Sequence, residues 1–134
     1  MKGKINHLGV AVRELEPAIR FYNELLGLEL KEVKEMPERG LKIAFLQAGE
    51  SLLELLAPLD EDSQISKFLD KRGEGIHHMC LETDDIEAEL ARLESEGVKL
   101  ISKRAEVGAE GLPVAFLHPK STGGVLLELI QVRD

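Results

Sequence analysis

The apolar residues of this chain change period several times, and each change marks an element. Lys4 to Val12 alternates as a strand does. From Pro17 to Leu26 the period lengthens, with Ile19, Tyr22 and Leu26 on one helical stripe, Pro17 in the first turn and Gly27 at the end. Strands are predicted next near Leu28–Lys34, Leu41–Gln47 and Leu52–Ala57. A short helix follows, capped by Ser63, packed through Ile65, Phe68 and Leu69, and stopped at Gly73. The order then begins again. Ile76 to Glu82 reads as a strand and Asp85 to Glu96 as a helix. Asp84 and Glu87 suit a capping pair for that helix, Ile86, Leu90 and Leu93 its apolar face, and Gly97 its end. Strands near Leu100–Lys103, Val114–His118 and Val125–Val132 complete the chain.

The recurrence is also one of words. Gly40-Leu41-Lys42-Ile43-Ala44-Phe45-Leu46-Gln47 is echoed by Gly111-Leu112-Pro113-Val114-Ala115-Phe116-Leu117-His118, and Leu52-Leu53-Glu54-Leu55 by Leu126-Leu127-Glu128-Leu129. His7 precedes Phe45 by 38 residues, and His78 precedes Phe116 by the same 38. The Glu offsets are 47 and 50, and the three extra residues fall in the turn Pro119-Lys120-Ser121-Thr122-Gly123-Gly124. The predicted fold class is therefore α+β: two tandem βαβββ modules, about 1–60 and 74–134, joined by a linker helix at about 61–73. One module of about 60 residues buries little core alone. The two are expected to share a curved mixed sheet and work as a single domain. Two main helices for about eight strands fit a doubly wound sheet poorly.

Alternation shows where the repeated polar residues point. Glu54 shares a strand face with Leu52 and Leu56, Glu128 with Leu126 and Ile130, and the opposite faces are also apolar. Each carboxylate is thus expected to be enclosed, at a cost of several kcal/mol unless paired or metal-bound. A pseudo-two-fold axis would gather His7, Glu54, His78 and Glu128. Two imidazoles and two carboxylates suit cobalt, zinc, nickel or manganese, and leave two octahedral positions for water or substrate. The neighbours read more blandly. His77 points to the other face from His78, and Cys80 reads as a small buried hydrophobe. Gly73-Glu74-Gly75 and Gly123-Gly124 are turn glycines outside any phosphate-loop context. The turn of His118, Lys120 and Ser121 precedes the Glu128 strand and can offer a cation and backbone amides to a substrate.

Composition narrows the classes. The 134 residues carry 17 Lys and Arg against 25 Asp and Glu, a formal charge of −8, which argues against polyanion surfaces as partners. Nucleic acid and membrane are excluded as expected partners. Apolar content of 43% supports a core. The single cysteine excludes an internal disulfide and any multi-cysteine metal site. Without a signal-like or membrane-spanning run, a cytoplasmic location is expected.

These residues resemble the vicinal oxygen chelate superfamily, whose glyoxalase- and bleomycin-resistance-like members pair βαβββ modules around a divalent metal. Within it the likeness is to the methylmalonyl-CoA epimerase (racemase) family. It covers nearly the whole chain and is carried by Asn6-His7-Leu8-Gly9-Val10-Ala11-Val12, Leu55-Leu56-Ala57-Pro58-Leu59, Lys71-Arg72-Gly73-Glu74-Gly75-Ile76-His77-His78 and the run from Phe116 to Leu129. The resemblance implies a metal, with cobalt the first choice, on His7, Glu54, His78 and Glu128, and an isomerase that removes and returns the C2 proton of a coenzyme A thioester. It also implies a homodimer, as relatives often form. Glu128 is the first candidate acid/base and Glu54 the second. Some relatives carry a further Glu on the third strand; the position matched to it here is Lys42, a third candidate. His118, Lys120 and Ser121 are candidate substrate contacts, and Lys71, Arg72, Lys103 and Arg104 further candidates for the phosphates. A glyoxalase-type isomerase or lyase acting on a thiol adduct, and a metal-free binding protein, are the rival readings.

Overall fold

In the computed structural model, which describes residues 1–133, the repeated pattern becomes two βαβββ modules. The first runs β1 (Ile5–Ala11), α1 (Leu15–Ile19), β2 (Glu29–Met36), β3 (Leu41–Ala48) and β4 (Ser51–Pro58). The helix α2 (Gln64–Arg72) follows. The second module runs β5 (Gly75–Thr83), α3 (Ile86–Ser95), β6 (Glu106–Val107), β7 (Pro113–Leu117) and β8 (Leu127–Gln131). The expected α+β class holds. By packing, the residues group as His7–His77 in one unit, and Met1–Asn6 with the chain from His78 onward in the other.

In the His7–His77 unit the strand order is β2-β3-β4-β1. β1 and β4 are parallel, and the other neighbours are antiparallel. One face is apolar because alternate residues of β3 and β4 are: Ala44, Leu46, Leu55 and Ala57 pack against Val12 and Leu15, with Ile19 and Tyr22 closing over them. Leu46 and Leu55 are wholly buried, each side chain contributing about 1.5–3 kcal/mol. The turn into β3 requires a glycine. Gly40 has φ +68°, and a Cβ there would lie 2.8 Å from Asp60 Oδ2 and 2.9 Å from Ser63 Cβ.

The first helix departs from the expected Pro17–Leu26. It starts at Leu15, and after Ile19 it winds as a π-helix over Arg20–Leu25, Leu26 N–H donating to Phe21 O at 3.0 Å. The wider winding turns the apolar stripe away after Tyr22, so Leu26 is 57% exposed instead of packed. The linker helix follows expectation. Ser63 Oγ accepts from Ser66 N–H at 3.1 Å, and Gly73 ends the helix.

The other unit has the order β5-β8-β7-β6, with β5 and β8 parallel and the rest antiparallel. Ile86 and Leu90 of α3 pack on Ala115, Leu117 and Leu129, while Cys80, Val114 and Ile130 cluster separately. Asp85, rather than Asp84 with Glu87, caps α3: its Oδ1 accepts from Ala88 N–H at 3.2 Å. Asp84 instead pairs with Lys2 at 3.3 Å, and Glu87 Oε2 accepts from Ala105 N–H. The strand expected near Leu100–Lys103 is reduced to a single bridge between Leu100 and Leu117. The N–H groups of Ile101 and Ser102 both donate to Phe116 O, which interrupts the ladder until β6. Among the described residues, no helix is long and apolar enough to cross a membrane.

Candidate active site

The first pair of polar side chains arises from register. In the parallel pairing of β1 with β4, Gly9 lies beside Glu54, and in the antiparallel pairing of β3 with β4, Phe45 lies beside it. Paired residues share a face. Glu54 therefore lies on the Phe45 side of the sheet, away from the face that α1 covers. His7, two residues before Gly9, is on the same face, and its Nδ1 is 3.2 Å from Glu54 Oε2. The pair is 3% and 4% exposed, so the carboxylate is enclosed as its apolar strand neighbours predict.

The second unit repeats the arrangement. Cys80 and Phe116 flank Glu128 from β5 and β7, and His78 Nε2 is 3.2 Å from Glu128 Oε1. Both residues are 7% exposed. The His78 ring stands edge-on to Phe116, with centroids 6.1 Å apart. Phe45 and Phe116 thus stand at equivalent places beside the two carboxylates. Their alignment in the repeat was the signal, although they carry no chemistry of their own.

The donor separation tests the fit to a metal. Two nitrogen or oxygen donors about 2.1 Å from one ion, at octahedral or tetrahedral angles, are about 3.0–3.4 Å apart. Both His–Glu pairs meet that spacing, and a buried carboxylate beside an imidazole is a donor set suited to a borderline divalent ion.

Other candidates separate from these pairs. Lys42 lies beside Ala57 on β4 and Glu35 on β2, on the face that α1 covers. The side chains of β3 on Glu54's face are those of Ile43 and Phe45, and the sheet stands between Lys42 and Glu54. Lys42 opens instead onto a cleft of about 1160 Å³ with Arg13, Ile19 and Val33. In the other unit, His118 and Ser121 hold a single 3₁₀ turn, Pro119–Ser121. His118 Nδ1 accepts from Lys120 N–H at 3.1 Å, and Ser121 Oγ accepts from Lys99 N–H at 2.8 Å. Lys120 is left exposed at the tip. His77 lies against Phe68, ring centroids 4.9 Å apart, and Cys80 is fully buried.

One buried acid escaped the sequence reading. Glu82 is 5% exposed, accepts from Asn6 Nδ2 at 2.9 Å and lies 3.7 Å from Lys4 Nζ. It ties the N-terminal segment to β5. The alternation of His78, Cys80 and Glu82 on one face carried the signal.

Residues 6–116 match the family model described as the Glyoxalase/Bleomycin resistance protein/Dioxygenase superfamily. The chain belongs to that superfamily and, within it, to the family of methylmalonyl-CoA epimerases, which are isomerases. It is 45% identical to the mitochondrial methylmalonyl-CoA epimerase of Mus musculus over 130 residues, 96% of this chain and 73% of that one. It is 42% identical over 134 residues to the ethylmalonyl-CoA/methylmalonyl-CoA epimerase of Cereibacter sphaeroides, covering 98% of this chain and all of the other. A solved methylmalonyl-CoA epimerase in complex with methylmalonyl-CoA and NH4+ is 35% identical, with a TM-score of 0.87 over 96% of this chain and 93% of that one.

Proposed function

We infer that this protein interconverts the (R) and (S) epimers of methylmalonyl-CoA, with a divalent metal ion held by His7, Glu54, His78 and Glu128. The observation that carries this reading is the repeated pair: a buried His and a buried Glu with donor atoms 3.2 Å apart, twice. The names of the relatives and the solved complex supply the substrate. Neither pair alone offers four ligands, so the whole chain acts as one functional domain.

When bound, the ion supplies Lewis acidity to the thioester and carboxylate oxygens of the substrate and makes the C2 proton more acidic; cobalt is our first choice, with zinc, nickel and manganese as alternatives. The proton itself is the task of the chain. Glu128 takes or gives it on one face of C2 and Glu54 on the other, so that removal on one side and return on the opposite side invert the centre. Their low exposure keeps bulk water from competing for the proton. Lys120, at the tip of the 3₁₀ turn, meets a phosphate of coenzyme A, while His118 and Ser121 hold that turn in shape.

Proton NMR of methylmalonyl-CoA in deuterated water tests the reading. Rapid loss of the C2 proton signal with metal-loaded protein, abolished by chelator and restored by cobalt, is the expected result. Absence of exchange with every divalent metal tried refutes it and favours a glyoxalase-type reaction on a thiol adduct.

A further inference from the structure

The His7–His77 unit begins at His7 itself, and Met1–Asn6 group with the other unit. Those first residues form a strap tied to β5 and α3. The amino group of Met1 is 3.7 Å from Glu89, and Lys2 Nζ is 3.3 Å from Asp84. The remaining ties converge on one residue, Glu82. Lys2 N–H donates to Glu82 O, and Glu82 N–H donates to Lys4 O, both at 3.1 Å. Lys4 Nζ lies 3.7 Å from the Glu82 carboxylate, and Asn6 Nδ2 donates to its Oε2 at 2.9 Å. The ties differ in strength. Asp84 is mostly in water, and an ion pair there is worth little. Glu82 is 5% exposed, and a carboxylate so far from water depends on its partners. The repeat does not ask for an acid at this place, because the equivalent residue of the first unit is the wholly buried Ala11.

We propose that Glu82 is a positioning residue for the metal site: through Asn6 it fixes the backbone from which His7 projects. This role rests on His7 being a metal ligand, as inferred above. The register of β1 with β4 begins at His7, opposite Leu52, so the ligand stands on the first rung of that ladder. The ends of an element open more readily than its middle. A metal ligand must stay within about 0.5 Å of its working position, which an opening rung does not allow. The hydrogen bond from Asn6 to a buried carboxylate closes the chain one residue before His7, at the point where it would otherwise loosen. Lys4 supplies the charge that lets Glu82 stay ionised beside the strap. Lys2 and Met1 hold the strap further from His7, through Asp84 and Glu89, and serve as the comparison.

Calorimetric titration with cobalt, and the visible absorption of the bound ion, read the effect on the full chain. Asn6→Leu is close in size to the wild-type residue and removes the donor. It should lower cobalt affinity by about tenfold or more and shift the visible bands. Glu82→Gln keeps an oxygen acceptor for Asn6 and should stay within about threefold of wild type. Lys2→Ala loosens the same strap at Asp84 and should leave affinity and bands unchanged, whatever it does to the melting temperature. Should Asn6→Leu fail to fold, Asn6→Ser, with its shorter side chain, is read in the same way. A second arm needs no metal: amide hydrogen exchange over β1 should quicken in Asn6→Leu and not in Lys2→Ala. Wild-type affinity and bands in Asn6→Leu overturn the proposal, as does an equal loss in Lys2→Ala. A wild-type chain that takes up no cobalt refutes the metal reading of the site. Unchanged exchange over β1 in metal-free Asn6→Leu refutes the positioning by itself.

Discussion

The half-site built on β1 and β4 and the half-site built on β5 and β8 place a His and a Glu at the same 3.2 Å separation. Around that constant core almost everything else has diverged. The first unit has three long antiparallel-paired strands, a helix without a side-chain cap and a π-wound end. The second has a two-residue β6, a helix capped by Asp85 and a 3₁₀ turn before β8. Gly9 stands where the other half has Cys80, and Ala11 where it has Glu82. What is kept is what the proposed chemistry calls for: a parallel strand pair, a His two residues before the residue beside the Glu, and a Phe across from that Glu.

The largest effects should come from splitting the two carboxylates. Glu128→Gln and Glu54→Gln each keep an oxygen donor but remove the base, and each should slow epimerisation by about 10³-fold. If each carboxylate serves one face of C2, the two variants should still exchange deuterium into opposite epimers, read by NMR from each pure epimer. Near-normal epimerisation by Glu128→Gln would break the assignment. Equivalent core positions should fail alike. Leu55→Ala and Leu129→Ala, at residues no more than 1% exposed, should each lose about 2–5 kcal/mol in denaturant melts. A loss confined to one unit would show that the halves do not share their cooperativity.

Smaller effects separate the helices. Asp85→Ala should cost about 1 kcal/mol, because it removes the acceptor for Ala88 N–H. Glu14→Ala, at an uncapped start, should shift the same thermal melt hardly at all. Smallest of all, Lys42→Met should leave turnover within about twofold of wild type, because the sheet separates Lys42 from Glu54. A large loss of kcat with unchanged folding would return Lys42 to the chemistry.

Much of this was legible in the sequence because two periodicities are printed twice. The alternation in Leu52-Leu53-Glu54-Leu55-Leu56 and its echo around Glu128 already enclosed each carboxylate, and offsets of 47 and 50, equal but for three extra residues in one turn, tied each to its histidine. Lys42 was not legible in the same way. Its strand is apolar on both faces, so only the pairing of Phe45 with Glu54 decided which side of the sheet it took. Leu26 fitted a 3.6-residue stripe, but the π winding after Ile19 carried it into solvent. The segment Leu100–Lys103 had a strand's composition, yet Phe116 O gathers two of its amides and the ladder stops. Asp84 and Asp85 were equivalent as caps until Lys2 took the first of them. Apart from Leu26, where the helix itself changes its winding, each miss arose from a tertiary partner that local pattern does not contain.

Cobalt titration by calorimetry, with His7→Ala and His78→Ala beside the wild-type chain, asks whether the two His–Glu pairs hold one ion between them. One ion per chain is expected, with an affinity loss of about a hundredfold or more in either variant, because each half would supply only two of the four donors. Two ions per chain, or full affinity in one variant, would contradict it: the halves would then be independent sites that happen to share a shape.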